Sequence, residues 1–294
     1  MQGILLIDKP EGFTSFDVLA SLRKPLGTKK LGHTGTLDPM ATGVLPVLVG
    51  RATKLCSLLP DSDKTYVAGF KFGYSTDTLD RCGQTTKTTD VLVSKEDVLR
   101  VLPDFTGSIM QVPPMYSALK VDGVKLHKLA RQGIEVKREA RPINIYEISL
   151  IEFDETTQEG IISVSCSSGT YIRSLIDDIA KAINTLGVMT SLRRTTSHGF
   201  DISDCIELDK VRNGFEASML LPVDSVLKGY PQINVTPAQA IRFYNGGALD
   251  VTRTPLDDGY IGFVRVKNRE GQLLGLGFSD KNNINIKCLF DLGE

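Results

Sequence analysis

"LGHTGTLDPMATG", residues 31–43, gathers three glycines and a proline around one carboxylate, Asp38. Pro39 disfavours the helical region for the residue before it, so Asp38 is expected to stand extended. Gly32, Gly35 and Gly43 open backbone conformations that other residues avoid, as tight turns and close ligand approach require. The plain alternative is an Asx-type turn in which Asp38 only caps backbone amides.

On either side of this loop the apolar pattern predicts strands and helices. "GILLIDKP" (3–10) reads as a buried strand ended by Pro10, and Ser15 as the cap of a helix through "FDVLASLRKPL" (16–26). Strands are predicted at 44–50 and at 64–73, the latter with Tyr66, Ala68, Phe70 and Phe72 on one face. "SKEDVLRVLPDF" (94–105) is a helix with Ser94 as its cap and Asp97 in the first turn. Two more strands follow at 143–153 and 160–168, then a helix in "TYIRSLIDDIAKAI" (170–183) with Ile172, Leu175, Ile176 and Ile179 along one side. Strands and helices mix without a strand-helix-strand rhythm, so the expected class is α+β rather than doubly wound. Beyond about residue 228 the chain becomes punctuated by Gly and Pro, which predicts a first domain over 1–228 and a small β-rich domain over 229–294.

With 34 Lys and Arg against 35 Asp and Glu, the net charge is −1, so any site for a polyanion must be local. Five scattered cysteines without a CxxC pair suggest neither a disulfide framework nor a zinc ribbon, and three widely separated histidines favour no metal site. The first apolar run is too short for a secretion signal, so a cytoplasmic protein without a membrane segment is expected. Phosphate-binding, dinucleotide-binding and hydrolase-elbow motifs are all missing, leaving carboxylate chemistry without metal or cofactor.

Three further features stand out. Arg173 opens a helix whose dipole opposes its charge, so it needs a carboxylate or phosphate nearby: Asp177 or Asp178 within the helix, or a functional partner elsewhere. Tyr66 lies in an apolar strand and by itself reads as a core tyrosine. Between 115 and 141, Lys120, Lys125, Lys128, Arg131, Lys137, Arg138 and Arg141 outnumber Asp122, Glu135 and Glu139, with Tyr116 and His127 among them. Such a run is commonly a solvated helix face, yet in a near-neutral chain it also fits contacts to a nucleic-acid backbone. Arg193 and Arg194 form a second cationic cluster.

Taken in order, "GILLIDKPEGFTS", "GHTGTLDPMATGVLPV", "KTYVAGFKFGYSTDTLD", "PPMYSALKVDGVKLHKLARQG", "SSGTYIRSLIDDIA" and "LRRTTSHGF" resemble the bacterial tRNA pseudouridine-55 synthase (TruB) family over the first 225 residues or so. The tail looks like that family's PUA domain. The resemblance implies a pseudouridine synthase fold, with a mixed, largely antiparallel central sheet flanked by helices and loops, and an isomerase that converts uridine 55 in the tRNA T-loop to pseudouridine by base flipping, with no cofactor and no metal. Asp38 matches the catalytic aspartate, attacking either C6 of the uracil or C1′ of the ribose. Tyr66 matches a stacking tyrosine that also handles the C5 proton, and Arg173 the arginine paired with the aspartate. His33, Tyr171 and Leu192 match positions that contact substrate, and Lys9, in a segment packed beneath the loop, is expected among the substrate-binding residues with them and Tyr66. Lys120, Lys125, Lys128, Arg131 and Arg193 are expected on the RNA backbone, in and near an element that closes over the T-loop and T-stem. A monomer is expected. Met40, Leu79 and the His198-Gly199 pair depart from the family's usual residues. A tRNA-folding chaperone without essential catalysis is the alternative function, and a glycoside hydrolase the rival enzyme class.

Overall fold

A computed structural model describes residues 1–60, 62–121, 123–257 and 259–290. In chain order, β1 (Gly3–Lys9) leads through α1 (Ser15–Leu22) to β2 (Leu31–His33), β3 (Thr42–Val49) and β4 (Lys64–Phe72). A hairpin of β5 (Tyr74–Thr76) and β6 (Thr85–Thr88) precedes α2 (Lys95–Val101) and β7 (Gly107–Gln111). A second hairpin, β8 (Lys120–Val121) and β9 (Val124–Lys125), runs into the short α3 (Leu126–Ala130). The long pair β10 (Arg141–Asp154) and β11 (Glu159–Cys166) is followed by α4 (Ile172–Ala182), β12 (Gly187–Ser197), β13 (Phe200–Asp201), β14 (Ile206–Glu207) and α5 (Leu208–Asn213).

Apart from the two hairpins, β5-β6 and β8-β9, which form small sheets of their own, these strands form one sheet in the order β14-β1-β3-β12-β4-β11-β10-β7, with β2 added to β3 and β13 to β12. Within it only β1 with β14 and β12 with β3 run parallel, which makes the sheet mixed and largely antiparallel as the family resemblance implied. The predicted face of β4 is the core face: Tyr66, Ala68, Phe70 and Phe72 pack with Leu175, Ile176 and Ile179 of α4 in one buried cluster. On a strand successive side chains alternate between faces, so one register places all four against the helix.

The helix starts hold one correction. Thr14, not Ser15, caps α1: its hydroxyl accepts the Asp17 amide and the Asp17 carboxylate accepts the Thr14 amide. Ser15 is left free to reach elsewhere, which matters below. The expected pair at α2, Ser94 with Asp97, forms the same reciprocal box.

After β14 the chain builds a separate five-stranded sheet from β15 (Gln232–Asn234), β16 (Leu249–Asp250), β17 (Ile261–Lys267), β18 (Leu273–Asp280) and β19 (Asn283–Leu289), ordered β15-β17-β18-β19-β16. It carries one helix, α6 (Pro237–Tyr244), whose Phe243 is fully buried in this region's own core. A further apolar cluster joins Ile4, Leu6 and Leu48 of the large sheet to Leu276, Cys288 and Phe290 of the small one. Asp224 adds ion pairs to Arg265 at 3.2 Å and Lys267 at 2.6 Å.

Candidate active site

Asp38 lies in the loop between β2 and β3, whose strand ends are paired, and the loop is pinned on both sides of the carboxylate. Leu37, Met40 and Ala41 are buried in the core beneath it. The Ser15 hydroxyl accepts the Leu37 amide at 2.9 Å and donates to the Leu37 carbonyl at 3.2 Å, which is why this serine does not cap its helix. The Pro39 carbonyl accepts from the Gly12 amide at 2.8 Å and from the Lys9 ammonium at 3.3 Å. Lys9 is fully buried and also donates to the carbonyls of Pro10 and Phe13. Burial pushes its ammonium down to about 8, against the opposing pull of Asp38 and Glu11. Lys9 therefore ties the end of β1 to the residue that follows the carboxylate.

The glycines divide by cause. Gly43 has φ +106°, and a Cβ there would lie 2.1 Å from the Arg194 carbonyl oxygen, so both conformation and space demand glycine. Gly32 is not left-handed. It sits in β2 with the Cys56 sulfur 3.0 Å from where a Cβ would be, so the expectation of a special conformation there gives way to one of close packing.

Arg173 settles the alternatives left by the helix dipole. Its Nη2 lies 3.0 Å from Asp38 Oδ2 and its Nη1 3.6 Å from Asp80 Oδ2. The same two nitrogens donate to the carbonyls of Tyr116 at 3.0 Å and Thr78 at 2.9 Å. Asp177 pairs with Lys181 instead. The arginine is thus a buried hub joining four segments, and the planar fork of a guanidinium is what lets one side chain serve them all. Its helix is positioned at the N-terminus by Gln111, which accepts the Tyr171 amide at 2.9 Å and donates to the Tyr171 carbonyl at 3.1 Å.

Sequence reasoning missed Asp80. Its second oxygen is held by the Thr78 hydroxyl at 2.7 Å and the Cys82 amide at 3.0 Å, leaving the first for Arg173. Between them Leu79 takes φ +61°, a strained choice for a branched side chain, and it turns Thr78 and Asp80 toward the arginine together. A leucine where the resembled family often has aspartate gave no hint of this.

Tyr66 lies at the same mouth, 7% exposed, on β4. Burial pushes its phenol up, opposed chiefly by the Arg194 guanidinium. Leu192 is buried on β12 opposite Ala68, two residues along from Tyr66. Tyr171 is half-buried at the start of α4, its phenol pushed up by burial. His33 ends β2; burial and then Arg194 push its imidazole down, so it is neutral, and its Nδ1 is buried without a hydrogen bond.

The basic residues fall into two groups. Lys120, Lys125, Lys128 and Arg131 are exposed, the first two directly opposite each other on β8 and β9. The expected helix face is mostly a hairpin and a five-residue helix, because Gly123 and Gly133, both left-handed, interrupt it. His127 has a side chain outside the described part, as does the whole of Asp122. Arg193 is engaged: its two terminal nitrogens meet both oxygens of Asp8, at 2.7 and 3.2 Å, and it bonds the Thr42 hydroxyl. That is a strand-to-strand tie between β12 and β1, and the arginine remains 44% exposed. Arg194, one residue on, points to the opposite face and is fully buried, as strand alternation requires.

A family model described as TruB family pseudouridylate synthase (N terminal domain) matches residues 23–172, and one described as tRNA pseudouridylate synthase B C-terminal domain matches 173–228. Relatives named tRNA pseudouridine synthase B are 40% identical in Clostridium kluyveri, over 99% of this chain and 100% of theirs, and 43% identical in Dechloromonas aromatica, over 94% and 91%. Among solved structures, a Cbf5-Nop10-Gar1 complex shares the fold at a TM-score of 0.74 and 26% identity, covering 99% of this chain and 85% of that one. An archaeal box H/ACA sRNP Nop10-Cbf5 complex also shares the fold, at 0.74 and 24%, covering 98% and 86%. Sheet, loop and matches together define the class, a pseudouridylate synthase. Within it, the chain belongs to the TruB family. Among the described residues no helix is long and apolar enough to cross a membrane.

Proposed function

We propose that the chain isomerises uridine 55 in the tRNA T-loop to pseudouridine, with Asp38 as the nucleophile on a flipped base. The observation that carries this is the pinned carboxylate: Asp38 is 37% exposed, while its partner Arg173 and its loop neighbours Leu37 and Met40 are buried. A nucleophile must be reachable and still fixed in place, and the carboxylate stays reachable while Leu37, Met40 and Arg173 around it are buried. A stacked base cannot reach it, so the uridine has to leave the RNA stack. Tyr66 then stacks on the uracil, with Leu192 and Tyr171 lining the pocket, and neutral His33 fills the space that the base vacates.

Uridine and pseudouridine have the same atoms, so the reaction needs no oxidant, reductant or group donor. The N-glycosidic bond breaks, the uracil turns, C5 bonds to C1′, and the C5 proton leaves while N1 gains one. The carboxylate attacks either C6 of the uracil or C1′ of the ribose.

The register of the second hairpin supports an anionic partner. Lys120 and Lys125 are like charges set directly across from each other, an arrangement that costs stability unless an anion lies between or above them. With Lys128 and Arg131 they would follow the phosphates of the T-stem, and the exposed edge of Arg193 would join them once the RNA is seated. Residues 229–294 are read as a PUA-like RNA-binding domain on a catalytic domain of 1–228, in a monomeric cytoplasmic enzyme. The test is to incubate an unmodified tRNA transcript with the chain and map pseudouridine by carbodiimide adduct formation and primer extension. A single new stop one nucleotide 3′ of position 55 is expected. Stops elsewhere, or none with tRNA bound, would overturn the assignment.

A further inference from the structure

Arg194 is the largest of the fully buried side chains, and neither composition nor the catalytic reading accounts for it. It stands directly opposite Tyr66 on one neighbouring strand and opposite Gly43 on the other. Directly opposed residues project from the same face of a sheet, so guanidinium and phenol share one side. Arg194 Nε donates to the Val44 carbonyl at 2.8 Å and Nη2 to the Gly35 carbonyl at 3.1 Å. Those two carbonyls bracket the segment that carries Asp38.

The third nitrogen, Nη1, is buried and makes no hydrogen bond. It lies 3.1 Å from where a Cβ on Gly35 would be, so that glycine leaves the nitrogen its room. A buried charged donor without an acceptor is costly, and such sites persist where something else completes them. The phenol is the polar group placed to do so: Arg194 leads the charges acting on it, ahead of Cys166 of β11 and Asp38. Around the guanidinium lie Lys9 of β1, His33 of β2 and Lys64 of β4. Of the carboxylates that act on these groups, Asp38 is paired with Arg173, Glu11 and Asp17 act on Lys9, and Asp63 acts beside Lys64 on Cys166.

We propose that Arg194 is a positioning residue of the reaction, whose charge acts on the Tyr66 phenolic oxygen already in the free protein and whose Nη1 takes that oxygen when the uracil seats, fixing the ring to the guanidinium that also holds the Asp38 loop. The inference rests on the roles given above to Asp38 and Tyr66. An oxygen that accepts from Arg194 turns its own proton toward the pocket, and once ionised it is stabilised as the phenolate. In the last step the phenol gives its proton through water to N1, the C5–H bond breaks and its electron pair restores the C5–C6 double bond, and the phenolate so formed takes the C5 proton, which then exchanges with water.

The test places 3-fluorotyrosine at position 66 and follows its fluorine resonance against pH in the otherwise unchanged protein, in Arg194→Met and in Arg194→Lys. The phenol is expected to titrate at least about one pH unit higher in Arg194→Met, with a smaller shift in Arg194→Lys. With natural tyrosine, Arg194→Met is expected to slow single-turnover isomerisation about tenfold or more, yet to add nothing further in a Tyr66→Phe background, with tRNA affinity unchanged throughout. An unshifted titration overturns the inference. If Arg194→Met does not fold, Arg194→Lys decides, and no shift there overturns it equally. A wild-type rate for Tyr66→Phe alone would instead sink the role of Tyr66 on which the inference rests, and it is read in a different protein.

Discussion

Replacing Arg173 by methionine or lysine separates the arginine's structural work from its catalytic work. At 3.0 Å from Asp38 the guanidinium makes a pair worth roughly 5 kcal/mol at an effective dielectric of about 20. Asp38 is more than a third exposed, and solvent screening reduces its share to about 1 kcal/mol. Asp80 is different, being 9% exposed at 3.6 Å. Left buried without the arginine it costs about 2–3 kcal/mol, somewhat below the usual range of about 3–5 kcal/mol, because Thr78 and Cys82 already hold its other oxygen. The carbonyls of Thr78 and Tyr116 lose a charged donor, at about 1 kcal/mol each. The sum for Arg173→Met is roughly 5–6 kcal/mol, comparable to the whole stability of many domains. Arg173→Lys keeps one charge within reach of one carboxylate and is expected to lose about half as much, so it is the variant that can be assayed. Its turnover is expected to fall by about 10²-fold, because Asp38 loses the fork that fixes it. Urea unfolding and single-turnover isomerisation measure the two effects. An Arg173→Lys protein as stable as the wild type and within about threefold of its rate would refute the reasoning.

Gly43→Ala combines a left-handed backbone with a Cβ inside the Arg194 carbonyl, so β3 and β12 must part; a loss of about 3–5 kcal/mol is expected in thermal unfolding, and a loss under about 1 kcal/mol would contradict it. Above a pH of about 8 the Lys9 amine has two protons for three carbonyls, so turnover is expected to decline there, and Lys9→Met to lack that limb. The sign for stability is opposite: since the folded value lies below the usual 10.5, the unfolded chain binds this proton more tightly, and Lys9's contribution to stability rises between about pH 8 and pH 10.5. Lys128→Ala is expected to weaken tRNA binding and to reduce its salt slope by about one; unchanged affinity and slope with lost turnover would remove the lysine from the RNA interface.

Strand and helix positions were largely legible because hydrophobic periodicity reports them directly, as the four aligned side chains of β4 illustrate. The Thr14 cap was not, since Thr14 and Ser15 are equally good caps and only the distant Leu37 backbone decides between them. Asp38 and Arg173 could be named from motif resemblance, but the residues alone offered Asp177 and Asp178 as equal partners for the arginine. Asp80 was out of reach: it comes to Arg173 across ninety residues of chain through a strained leucine, and no local spacing encodes that. Arg194 had a signal that went unused. It is in phase with buried Leu192, whereas Arg193 is in phase with solvent, and alternation along one strand distinguishes them.

The central claim is that Asp38 performs the isomerisation. It is tested most directly by tritium release from a tRNA transcript labelled at uracil C5, comparing the wild type with Asp38→Asn and with a transcript whose T-loop target uridine is cytidine. The account predicts release by the wild type from the intact T-loop alone, with Asp38→Asn silent while still binding the tRNA. Release by Asp38→Asn at the wild-type rate would contradict it and leave the aspartate as a turn residue.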